Sequence, residues 1–166
     1  LMLEANQIGV SGAQSFATSL NLKNLETLFL DSNPIGPEGA EALAKSTCLP
    51  SLSALHMDST GLGNQGVKAI AASQTLSKIE KLYLCSNKIG DEGAISLSQS
   101  PNLSHLTCLS VWRNEIRDAG GKAIAESKHF LKLERLYMSL NLIEKPTRKL
   151  IRSSDLASRL KTLVMD

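Results

Sequence analysis

Apolar and polar positions along this chain follow one 27-residue pattern that returns from end to end. Leu28 recurs as Leu1, Leu55, Leu82, Leu109, Leu136 and Leu163, and Leu30 as Leu3, Met57, Leu84, Val111, Met138 and Met165. Ile35 is matched by Ile8, Leu62, Ile89, Ile116 and Ile143. Asn33 is matched by Asn6, Asn87, Asn114 and Asn141, with Thr60 the one exception. Around Leu28 the alternation is that of a half-buried strand, with Leu28 and Leu30 inward and Thr27, Phe29 and Asp31 outward. From Pro37 to Lys45 the interval changes: Ala40, Leu43 and Ala44 share a helical face, and Pro37 suits a first turn because its missing N–H would be unpaired there anyway. Strand then helix at constant period predicts an α/β solenoid of about six repeats, with a parallel sheet on one side and helices on the other.

The small residues set how closely those layers approach. Ala40 recurs as Ala13, Val67, Ala94 and Gly121, and Ala44 as Ala17, Ala71, Ser98 and Ala125, so a helix backbone can settle against the sheet with Leu43 and its equivalents as wedges. Helices are wider than strands, so the stack curves with the sheet on the concave side. Gly39 and its equivalents predict tight backbone approach. The asparagine column predicts side-chain amides turned inward to pair backbone groups where the strand bends. Leu22, Leu49, Leu76, Leu103 and Phe130 are expected to close the core between each helix and the next strand.

The motif L-x-x-L-x-L-x-x-N-x-I-G-x-x-G-A runs intact from Leu25 to Ala40 and nearly so from Ile79 to Ala94. It resembles the leucine-rich repeats of the ribonuclease-inhibitor type, a group that also includes the recognition domains of NOD-like receptors, Ran GTPase-activating protein and bacterial repeat proteins, some of them secreted effectors. The uniform step, the few cysteines and the recurring G-A-x-x-[LI]-A turn resemble the simple bacterial members. The resemblance implies a horseshoe segment that binds a partner protein on its concave face, with host cytosol as the setting if the chain is part of an effector.

Composition adds mainly exclusions. The net charge of +2 gives no overall pull toward nucleic acid or membrane. No apolar run approaches the roughly 18 residues that span a bilayer. Cys48, Cys85 and Cys108 are odd in number and unpaired in spacing, which favours free thiols and a reducing intracellular compartment. One sequon, Asn102-Leu103-Ser104, reads as a chance match. His56, His105 and His129 fall at three different repeat positions, no His, Cys or carboxylate cluster has ligand spacing, and Gly61, Gly63 and Gly66 lack the lysine of a phosphate loop. The reading is of a non-enzymatic chain without cofactor or metal. Asp91, Glu92 and Glu115 to Asp118 are expected to be solvated rim charges.

The two ends depart from the pattern. Residues 144–166 form a divergent basic last repeat: Gly36, Gly39, Ala40 and Ala44 become Glu144, Thr147, Arg148 and Arg152. From Lys132 to Lys161 eight basic residues face three acidic ones, a local balance of +5. A polar terminal repeat that covers the last core layer is one reading, and a basic site for an acidic partner or anionic lipid is the other. At the other end Leu1-Met2-Leu3 is expected to be a strand with an open edge, which points to further chain upstream and allows self-association between repeat ends.

Binding candidates are the outward strand positions. One column reads Met2, Phe29, His56, Tyr83, Ser110, Tyr137 and Val164, and the next Glu4, Asp31, Asp58, Cys85, Trp112, Ser139 and Asp166. Of six Phe, Tyr and Trp residues in the chain, four lie on this face, although the fold would accept all of them as core. Rigidly held rings are usual binding anchors, and cross-strand stacking is the alternative use for them. The candidate contacts are Phe29, His56, Tyr83, Trp112 and Tyr137, with Asp31, Asp58, Lys81, Arg113 and Arg135 orienting a protein partner. Two other classes stay open: a GTPase-activating scaffold, and a structural module that assembles through its ends.

Overall fold

A computed structural model describes residues 1–166 and contains six short strands and seven helices in strict alternation until the last unit. The strands are β1 Thr27–Phe29, β2 Ala54–His56, β3 Lys81–Tyr83, β4 Cys108–Ser110, β5 Arg135–Tyr137 and β6 Thr162–Val164. They form one parallel sheet in sequence order, each residue paired with the one 27 positions on: Leu28 with Leu55, Leu55 with Leu82, and so on to Leu163. The helices are α1 Val10–Thr18, α2 Gly36–Ala44, α3 Gly63–Ala72, α4 Asp91–Ser98, α5 Asp118–Ala125, α6 Lys145–Arg152 and α7 Asp155–Arg159. Residues Leu1–Leu3, expected as a strand, contribute a single bridge between Met2 and Phe29, flanked by bonds from Leu3 N to Phe29 O and from Phe29 N to Leu1 O.

One continuous apolar core runs the length of the array. The inward leucines of the strands, the wedges Leu43, Ile70, Leu97, Ile124 and Ile151, and the loop column from Leu49 to Phe130 are almost fully buried. Gly39 shows why α2 tolerates no side chain at that position: a Cβ there would lie 2.7 Å from Ile35 Cγ2 and 3.1 Å from Ala13 Cβ.

The asparagine ladder is built as the sequence predicts. Asn114 Oδ1 accepts from Asn87 N (2.9 Å) and Ile89 N (3.0 Å), while its Nδ2 donates to Leu84 O and Val111 O (both 3.0 Å). Asn33 and Asn87 repeat this bridge to the unit before. Thr60 has no amide, and its hydroxyl is used up on Met57 O (2.7 Å) and Asn87 Oδ1 (3.2 Å). In the unit before it Ile35 N turns instead to Asn33 O (2.8 Å). A serine column adds a second ladder: Ser46, Ser73, Ser100 and Ser127 donate to Ala17 O, Ala44 O, Ala71 O and Ser98 O.

Of the rim residues expected to be solvated, Glu92 and Glu115 are exposed, but Asp91 and Asp118 are structural. Asp91 Oδ1 accepts from Arg117 N and Gly120 N (both 2.8 Å), Asn64 Oδ1 from Gly90 N and Gly93 N, and Asp118 Oδ1 from Glu144 N. Each caps the helix of the next unit, pairing N–H groups that a helix start leaves open. In the units preceding α2 and α3 the position of Asn64 and Asp91 is held by Val10 and Pro37, which offer no such acceptor. There the chain enters the helix differently: Gly36 and Gly63 take φ of +67° and +56°, where Gly90 and Arg117 stay extended. Glycine makes that left-handed entry inexpensive.

Basic residues of the last unit bond within it and to the unit before. Arg152 Nη2 donates to Met165 O (2.7 Å), Arg159 Nη1 to Leu131 O (3.4 Å), and Lys161 Nζ pairs with Glu134 Oε1 (2.8 Å). The extra helix α7, absent from the sequence reading, starts at Ser154, whose hydroxyl accepts from Ala157 N.

Candidate functional site

No helix or strand covers the outward face of the sheet, and its side chains sit there by the pleat: every second residue of each three-residue strand points away from the core. Parallel pairing at a 27-residue step puts identical repeat positions side by side, so the candidate residues form rows across the sheet. Phe29, His56 and Tyr83 are neighbours on β1, β2 and β3, and their rings stack. Phe29 and His56 have centroids 4.0 Å apart and planes inclined at 28°, and His56 and Tyr83 are 4.1 Å and 13° apart. These three residues are half-buried, with both faces of His56 and one face each of Phe29 and Tyr83 spent in the stack.

Tyr83 and its neighbours also shield the small residues of the face. Cys108, Ser110 and Ser139 occupy outward positions yet are buried. The Tyr83 hydroxyl lies 3.7 Å from Cys108 Sγ, and Cys85 Sγ lies 3.0 Å from Ser110 Oγ. Burial first, then the Cys108 contact, raises the Tyr83 hydroxyl to about 12. Burial likewise raises the Cys85 thiol to about 11, so it remains a protonated, poorly nucleophilic thiol at neutral pH. All three cysteines are free.

The aspartates of the face have a double attachment. Asp31 Oδ1 accepts from Asp58 N and Asp58 Oδ1 from Cys85 N, both at 2.7 Å. Each spends one carboxylate oxygen on the following unit. Burial, reinforced by the Asp58 and Glu4 charges against the favourable Asp58 N–H bond and His56, holds the Asp31 carboxyl above its ordinary value. Burial lowers His56, with Asp31, Asp58 and Glu4 opposing.

Charge is sorted along the array. Glu4, Asp31 and Asp58 lie at one end, and Lys81, Arg113 and Arg135 from the middle onward. Lys81 and Arg113 are exposed, and Arg135 is partly so beside Cys108. Trp112, unlike the stacked rings, has no ring partner and is 37% exposed. Tyr137 is half-buried beside Val164. The structure therefore groups the ten candidates into an acidic end joined to an aromatic stack and a basic end centred on Trp112.

One feature of the face escaped the sequence reading. Ala5, Ser32, Ser59, Ser86, Arg113 and Leu140, one position per unit, all have φ between 54° and 58°. Three consecutive serines before the asparagine column hint at a special turn, and Arg113 and Leu140 hide it. Leu140 is 51% exposed, and Leu142 and Val164 nearby are also largely exposed.

No group of three or more His, Cys, Asp or Glu stands close enough to hold a metal ion, and no helix is long and apolar enough to cross a membrane. A cavity of about 630 Å³ lies on the helix side between α5, α6 and α7, away from the candidate residues.

A family model described as a leucine-rich repeat matches residues 19–44, 48–71, 75–98 and 102–125. No curated protein matches the chain. Among solved structures, the crystal structure of a plant ice-binding protein matches at 20% identity over 89% of this chain and 58% of that one, with a TM-score of 0.37.

Proposed function

Because the chain belongs to the leucine-rich repeat family, whose repeats generally mediate protein–protein interaction, we propose that it is a recognition module that binds a partner protein on the outward face of its sheet. The observation that supports this is an uncovered face holding four of the chain's six aromatic rings on a sheet pinned by asparagine and serine ladders. A scaffold held this way needs little rearrangement on binding. Its contacts are Phe29, Asp31, His56, Asp58, Lys81, Tyr83, Trp112, Arg113, Arg135 and Tyr137, with Trp112 the most exposed ring. The ribonuclease-inhibitor type, and with it a role in a bacterial effector, rests on the 27-residue step and the G-A-x-x-[LI]-A turn.

The test is capture of proteins from native and host-cell lysates by the wild-type chain and by a Tyr83→Ala, Trp112→Ala, Tyr137→Ala variant of verified fold. A protein retained by the first and lost by the second is the expected result. Equal retention by both would remove the sheet face as the binding site. The Trp112→Ala variant alone is expected to weaken capture about tenfold or more with its circular dichroism unchanged.

A further inference from the structure

We infer that the segment recognised on this face is extended and bipolar, with a cationic side chain over Glu4, Asp31 and Asp58 and, further along, an apolar side chain next to a carboxylate over Trp112, Leu140, Arg113 and Arg135. This rests on the reading of the sheet face as a protein-binding surface and adds which protein chemistry it takes.

Charge complementarity fixes the two ends. On the outward positions of the first three units the ionisable groups are the three carboxylates and His56, and His56 is held toward its neutral form by burial between two rings. On the following units the outward strand and turn positions carry Lys81, Lys88, Arg113 and Arg135 against Glu115 and Asp166, and one Asp166 carboxylate oxygen is spent on the Leu140 N–H (2.8 Å). A uniform partner would meet repulsion at one end, so the surface selects a partner with both signs in order.

The apolar component falls at the basic end for two reasons. The Phe29, His56 and Tyr83 rings stack on one another and Tyr137 is half-buried, which leaves Trp112 as the most exposed ring. Leu140, in the unit beside Trp112, is a bulky residue held at φ 54° with half its surface in solvent. Neither local conformation nor core packing favours leucine there. An apolar contact from outside the chain does. Three strand spacings, about 14 Å, separate Asp31 from Arg113, which an extended peptide covers in about four residues, while Arg135, at the start of its strand, lies about 13 Å to one side of that line.

The probe is a displayed library of random dodecapeptides selected against the chain at low salt. Wild type is expected to enrich peptides with Arg or Lys about four residues from a large apolar side chain that adjoins Asp or Glu. A charge-exchanged variant, Asp31→Lys, Asp58→Lys, Arg113→Glu, Arg135→Glu, of verified fold is expected to enrich peptides in which the apolar side chain adjoins Arg or Lys instead. Leu140→Asn, which relieves the strained backbone, is expected to bind the wild-type peptides at least tenfold more weakly without loss of stability. Peptides that lose binding on Trp112→Ala but show no charge order would overturn the bipolar assignment and leave the sheet face as the binding site. An unselective library, or peptides indifferent to every substitution on the face, would overturn both.

Discussion

Leu140 and His56 show how single side chains of the face stand in tension with stability. A leucine at φ 54° carries a backbone penalty that asparagine largely avoids, and its side chain gains little burial in return. Leu140→Asn is therefore expected to raise stability by about 0.5–1 kcal/mol, read as a higher urea midpoint at constant slope. His56 works through protons. Burial holds its folded-state pKa below the ordinary 6.5, against the pull of Asp31, Asp58 and Glu4, so below that pH the unfolded chain binds the proton more readily. Stability associated with His56 is complete above about 6.5 and declines as pH falls through the folded-state value. Asp31 has the opposite sign: its raised pKa makes the folded chain the better proton acceptor, so its protonation favours the fold as pH drops toward 3.8. His56→Phe keeps a ring in the stack and removes the titration. Wild type should lose more of its urea midpoint than His56→Phe between pH 7.5 and 5.5, and equal losses would show that the imidazole is not the group responsible.

At the scale of one repeat, the connection between strand and helix has two alternative solutions, and which one is used depends on the unit before it. Where Asn64, Asp91 or Asp118 supplies an acceptor, the entry stays extended; where Val10 or Pro37 stands, glycine turns left-handed. Asp91→Ala is expected to cost about 1–2 kcal/mol by uncapping α5. Gly63→Ala is expected to cost about 1 kcal/mol through φ alone, since a Cβ there meets nothing within 4 Å. Asn114→Ala strands the N–H groups of Asn87 and Ile89 and the Leu84 carbonyl, Val111 O keeping its bond from Asn141, and is expected to cost about 3–5 kcal/mol. Thermal or urea unfolding of the three variants checks the ranking. The repeating strands and helices, the inward leucines and the asparagine bridges were legible because each is a column of similar residues whose chemistry has one outlet, whereas α7 and the single bridge at Met2 fall where the repeat ends. The cap was not: its column reads Val10, Pro37, Asn64, Asp91, Asp118, Lys145, and its meaning depends on the partner one unit ahead. The outward rows of the site could be placed from the pleat, but stacking of Phe29, His56 and Tyr83 against solitude for Trp112 depends on side-chain geometry that no column spells out.

The whole molecule is a line of units in which every bridge reaches only one step: strand pairs, asparagine amides, serine hydroxyls and caps all join a unit to the next and to none beyond. Two consequences follow from that geometry. The sheet face is rigid across neighbouring strands, so a segment lying over several units meets a preformed row of charges and rings and does not have to order them. Stability, by contrast, is a sum of local terms and need not be lost everywhere at once. Leu82→Ala removes a fully buried side chain from the middle strand and is expected to cost about 3–5 kcal/mol. Amide hydrogen exchange should register the loss most strongly in the units carrying β2, β3 and β4, with α1 and α6 changing least. Equal deprotection from α1 to α6 would mean that the array unfolds as one cooperative body, and damage at any one unit would then reach the acidic and basic ends of the face together.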